Sequence, residues 1–166
     1  MGITYTQPTD LSRLDPVELS EQLAATLRDA VPWLVTLSNA DASIPEREGK
    51  WCAKEVIGHL TDSATNNLGR IIRMQIAPEN LPGYAQESWV RLQHYREREW
   101  AEVLALWFAL NEHIVWTIRH IDSRALANEA TVAGNPITLG FLIEDYIAHM
   151  RHHLRNLRAS VHPGEA

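Results

Sequence analysis

The chain reads as all-α, a four-helix bundle, on three observations. Four long segments carry apolar residues at helical spacing, and the connections between them are polar and hold proline or glycine. No segment alternates with the period of two that a half-buried strand shows. Long amphipathic helices in a chain of 166 residues bury their apolar stripes most simply against one another, in a single bundle domain over 1–166. Residues 1–14 read as an N-terminal extension and 161–166 as a tail.

The first helix opens at Asp15-Pro16-Val17-Glu18. Asp15 suits the N-cap, Pro16 the first helical position, and Glu18 a capping-box spacing. Leu19, Leu23, Leu27, Ala30 and Leu34 then recur on one face, and the helix is expected to end near Ser38, with Pro32 a candidate kink. The stretch ASIPEREGKW is loop. A second helix is predicted from about Ala53 to Ala77, stopped by Pro78, and PENLPGYAQ is again loop. A third, long helix is predicted from about Gln86 to His120, through the charged REREW. ANEATVAGNPIT reads as loop with room for a short extended piece. The last helix runs from about Leu139 to Ser160, with Leu142, Tyr146, Met150, Leu154 and Leu157 as its apolar face.

Composition removes several classes of function. The net charge of −6 lacks the basic footprint of a nucleic-acid binder. Arg151, Arg155 and Arg158 do cluster, but cations in the last turns of a helix complement its dipole. No run approaches the ~18 apolar residues of a membrane span. A single cysteine, Cys52, allows no intrachain disulfide and, with no apolar leader at the N-terminus, points to the cytoplasm. Cys52 reads as a small buried residue beside Trp51, and the six tryptophans read mainly as core. No Glu is followed by His three residues later, as ferritin-like di-iron bundles require. HExxH, the P-loop and G-x-G-x-x-G are also absent.

The last helix contains YIAHMRHHLRNLR, with His149, His152 and His153 inside five residues. Residues four apart on a helix lie about 40° apart, so His149 and His153 form an H-x3-H pair on one side. Tyr146, Met150, His153 and Leu157 make one row, which turns His153 inward with His149 beside it, while His152 falls toward the edge near Arg155. Histidine is the commonest metal ligand, but a pair is not a site. On the second helix, His59, Asp62, Ser63, Asn66, Arg70 and Arg73 form a polar stripe, whose direction periodicity alone leaves open. His94, His113, His120 and His162 have no partner at ligand spacing.

The motif W-x3-E-V-I-G-H-L-x-D-S from Trp51 to Ser63, with Y-I-x-H-x3-H-L from Tyr146 to Leu154, resembles the DinB/YfiT-like superfamily. That resemblance implies a four-helix bundle, frequently a homodimer. It also implies a divalent metal (Zn, Ni or Fe) held by His59, His149 and His153. Three imidazoles suit these ions and leave coordination positions open. By the same resemblance the activity expected is metal-dependent. It is either transfer of a low-molecular-weight thiol to an electrophile, in detoxification or stress response, or a reaction of activated water on a small-molecule substrate. Asp62 and Asp145, each one turn from a candidate ligand, are expected to orient imidazoles. Arg70 and Arg73 are candidates to hold an anionic substrate group. The alternative is a non-catalytic metal-binding or dimerising bundle.

Overall fold

In a computed structural model the structure describes residues 10–161. The parts of the predicted extension and tail beyond them, His162 included, lie outside the described residues. Among the described residues five α-helices form: α1 (Pro16–Leu34), α2 (Ala53–Ile76), α3 (Gln86–Leu92), α4 (Trp100–Arg119) and α5 (Leu139–Val161). The long four build the bundle. Both α1 and α2 pack against α4 and α5, so α1 and α2 stand at diagonal corners although they follow one another in the chain.

Local chemistry explains the helix starts. Asp15 accepts the backbone N–H groups of Val17 and Glu18 at 2.8 and 3.1 Å, and Pro16 opens α1 as expected. Pro32 stays inside the helix, which ends two residues later at Leu34, short of the expected Ser38. Glu55 accepts the Cys52 N–H at 2.9 Å at the start of α2, and Thr138 Oγ1 accepts the Phe141 N–H at the start of α5. Leu19, Leu23, Leu27, Trp107, Ile114 and Met150 are among the fully enclosed side chains of the core. Ahead of α1, Leu11 and Leu14 pack under Gly140, where a Cβ would come within 2.7 Å of Leu14 Cδ1.

Two features differ from the sequence reading. The expected helix over 86–120 is broken. It stops at Leu92, His94 takes a left-handed φ of 52°, a 3-10 turn spans Tyr95–Glu97, and α4 begins at Trp100. The restart is capped from outside the segment. Asn39, in the α1–α2 loop, accepts the Trp100 N–H at 2.9 Å, and the Trp100 indole donates to the Leu34 carbonyl at 3.0 Å.

The second difference is a small sheet. Its strands are β1 (Asn80–Leu81), β2 (Glu129–Val132) and β3 (Asn135–Thr138), in that order. β1 runs parallel to β2, with Asn80 opposite Thr131, and β2 pairs antiparallel with β3 through Val132 and Asn135. Ala133 and Gly134 turn this hairpin with φ of 50° and 85°, the signs of a type I′ turn. The sheet ties the α2–α3 connection to the α4–α5 connection at one end of the bundle.

Candidate metal centre

The polar stripe of α2 faces inward over its first part, from His59 to Ser63, whereas Asn66 and Arg70 are half-buried and Arg73 is exposed. His59 is fully buried, and Asp62, Ser63 and Asn67 are buried with it. Opposite them α5 presents His149, buried, and His153, half-buried. One ligand nitrogen from each of His59, His149 and His153 lies within 4.8 Å of the other two. The ring centroids are separated by 5.2 Å (His59–His149), 4.9 Å (His59–His153) and 4.5 Å (His149–His153). The indole of Trp51 tilts against His59 at 5.1 Å and walls that side.

Burial, and then the neighbouring histidine charges, hold all three imidazoles unprotonated at neutral pH. His59 and His153 are lowered to about 4 and His149 to about 3. A neutral imidazole is a ligand, whereas an imidazolium is not. His59 Nε2 and His149 Nε2 stand 3.3 Å apart. Two nitrogens each about 2.0–2.1 Å from a tetrahedral ion would be separated by about 3.3 Å. His59 Nδ1, the nitrogen that carries the proton when Nε2 is the ligand, is buried with no hydrogen-bond partner among the described residues. The donor set therefore fits a divalent first-row ion. His152 is exposed and pairs with Asn156 at 3.1 Å, outside the cluster.

The expected carboxylates take different places. The Asp62 side chain points to the segment between α3 and α4 rather than to an imidazole. Its Oδ1 accepts from the Tyr95 hydroxyl at 2.7 Å and from the Gln93 amide, and burial raises its pKa. Asp145 is half-buried and lines a cavity that His149 also lines.

That cavity, about 220 Å³, runs between α2 and α5 from His149 past Ser63, Asn67 and Asp145 to Arg70 and Tyr84. Val132 and Ile137 of the sheet form its apolar lip. The two arginines part company: Arg70 lines the cavity, whereas Arg73 is exposed and paired with Glu79 at 3.6 Å. Arg73 lies in the last turn of α2, where it meets Glu79 of the following connection.

Sequence reasoning did not single out Trp51, Asn67 or Tyr84 for this site. Asn67 was readable, since it follows Ser63 by four and precedes Arg70 by three on the polar side of α2. Tyr84 sits in a loop whose path depends on β1. Cys52 is buried and its thiol is pushed up by burial, which keeps it unreactive.

Among known proteins, the chain is similar to YfiT of Bacillus subtilis (strain 168), provisionally named a metal-dependent hydrolase. The two are 25% identical over 150 residues, covering 85% of this chain and 79% of YfiT. The solved structure of YfiT, described as a four-helix bundle of unusual topology, matches with a TM-score of 0.76 at 20% identity. That match covers 93% of this chain and 91% of YfiT. The sequence model of the DinB superfamily matches residues 22–157. The match takes in both helices that carry the histidine cluster and nearly all of the bundle, and the chain belongs to the DinB superfamily.

Proposed function

We propose that the protein is a metal-dependent enzyme acting on small molecules, with His59, His149 and His153 holding one divalent ion at the head of the α2–α5 cavity. The observation that supports this reading most is the convergence of three neutral imidazoles, one of which, His149, lines the adjoining cavity. A bound ion would lower the pKa of a coordinated water or thiol and so supply a nucleophile near neutral pH. The chain's own part is to keep the imidazoles desolvated and unprotonated, to shield one side with Trp51, and to line the approach with Ser63, Asn67 and Asp145. Three protein ligands match catalytic rather than structural zinc, which is normally closed by four. The name of YfiT favours water as the nucleophile. The motif resemblance favours a low-molecular-weight thiol.

Protein stripped by a chelator and reloaded with Zn, Ni or Fe(II) is assayed for ester and amide hydrolysis and for addition of small thiols to electrophiles. Activity that disappears on stripping and returns on reloading is the expected result. No activity in any metal form would overturn the enzyme reading.

One observation favours a second reading, a homodimer whose metal only stiffens the fold. A groove of about 480 Å³ between α1 and α4 is lined by Val31, Val35, Leu104 and Phe108, and both Val35 and Phe108 are exposed. Sedimentation of wild type and Phe108→Glu decides it: a dimer dissociated by the substitution supports this interface, and a monomeric wild type removes it.

A further inference from the structure

The cavity that starts at His149 ends at a guanidinium with the properties of an anion receptor. Arg70 lies eleven residues beyond His59 on α2, about 16 Å further along the helix axis. Its Nη2 donates to the Pro82 carbonyl at 2.8 Å and its Nη1 to Asn67 Oδ1 at 3.4 Å. Both acceptors are neutral, and none of the ion pairs among the described residues involves Arg70. Burial lowers the guanidinium's pKa, the expected sign for a cation held without a counter-charge. Arg70 is half-buried, so an anion arriving here would meet a partly desolvated, pre-positioned fork.

The surroundings hold that fork still. The Asn67 amide donates to the Ser63 carbonyl at 2.9 Å and to its hydroxyl at 3.3 Å, which fixes the oxygen that Arg70 meets. Tyr84, which also lines the cavity, packs its ring on Trp89 at 5.0 Å. The cavity is polarised along its length. Asp145 stands one turn from His149, Val132 and Ile137 lie along the lip, and Arg70 is the basic residue in the wall. Its volume of about 220 Å³ falls below the ~300–1,000 Å³ of pockets for drug-sized ligands.

We propose that the substrate is a small organic monocarboxylate, its carboxylate on Arg70 and its reacting end at the histidine cluster. One guanidinium with neutral partners balances one charge, and its planar fork matches a carboxylate in two parallel hydrogen bonds. The proposal rests on reading the cluster as a metal site, and its test separates the two claims.

Cobalt-loaded protein is titrated with ω-mercaptocarboxylates from mercaptopropionate to mercaptooctanoate, and with mercaptoalkanols of the same lengths, following the thiolate-to-cobalt absorption. The carboxylates should bind about tenfold to a hundredfold tighter than the matched alcohols, with an optimum chain length that measures the span to Arg70. The preference should vanish in Arg70→Gln, fall in Arg70→Lys, and persist in Arg73→Gln. Equal binding of acids and alcohols, or an unchanged preference in folded Arg70→Gln or Arg70→Lys, overturns the proposal while the cobalt spectrum leaves the metal site standing. If no cobalt binds, the metal reading fails. The Arg70 Nε–H resonance of metal-free protein titrated with hexanoate then decides the anion site alone: a saturable shift supports it and none overturns it.

Discussion

Gly58, the residue before His59, gives the ring of Tyr95 its seat. A Cβ there would come within 2.2 Å of Tyr95 Cδ2 and 2.3 Å of Cγ. The ring so placed delivers its hydroxyl to Asp62, which joins the start of α2 to the segment between α3 and α4. Gly58→Ala should therefore destabilise the protein by about 1–3 kcal/mol through overpacking, read as a lower urea midpoint. An unchanged midpoint would mean that the ring has room to move. The three imidazoles make a second prediction. In chelated protein their folded pKa values are depressed to about 3–4, against the ordinary 6.5. Between those limits the unfolded chain binds protons that the folded chain does not, so stability is fully present above 6.5 and is lost as pH falls toward 3–4. Urea midpoints of chelated protein should rise with pH across that window, with a shallower slope in His149→Ala, whereas a flat profile would contradict it. At this scale the sequence is informative where spacing is local. His149 and His153 are legible as a pair because one helical turn separates them. The partner of Asp62 is not, because Tyr95 lies 33 residues away and reaches it only through the fold.

Elements were legible where their ends are closed by their own residues. Asp15 and Pro16 announce α1, and Pro78 bounds α2, which ends at Ile76. The break between α3 and α4 has no such mark. The segment from Leu92 to Trp100 contains neither proline nor glycine, the turn is made by His94 in the left-handed region, and the cap of α4 comes from Asn39, 61 residues earlier. Asn39→Ala should cost about 0.5–2 kcal/mol, the usual value of an N-cap, measured by thermal or urea unfolding. No loss would show that water satisfies the Trp100 N–H equally well. Of the sheet, the sequence left room only for a short extended piece where β2 and β3 lie, because the strands are two to four residues long. Its hairpin carries an avoidable strain, since Ala133 holds a φ of 50°. Ala133→Asn, a residue that accepts this conformation, should raise stability by up to about 1 kcal/mol, and a lower melting temperature would contradict the type I′ assignment.

For the whole molecule, four helices and their order follow from periodicity, but which helices touch does not. An apolar stripe says that a helix has a buried face and is silent about its neighbour. The diagonal placement of α1 and α2 leaves α2 to lie along α5. Since His59 meets His149 and His153 while Arg70 shares a cavity with Phe141, the two helices run antiparallel. That one packing choice turns the first part of the ambiguous polar stripe of α2 inward and brings three histidines, 90 or more residues apart in sequence across the two helices, to one point. It also places Arg70, already a member of that stripe in the sequence, in the wall of the cavity that His149 lines. The measurement that tests this account most directly is elemental analysis of purified wild type beside His59→Ala, His149→Ala, His153→Ala and His152→Ala. The account predicts about one divalent ion per chain at saturation, as for a three-histidine site, lost in the first three variants and kept in His152→Ala. Wild type that binds no metal after reconstitution, or metal lost with His152 and retained without His59, would contradict it.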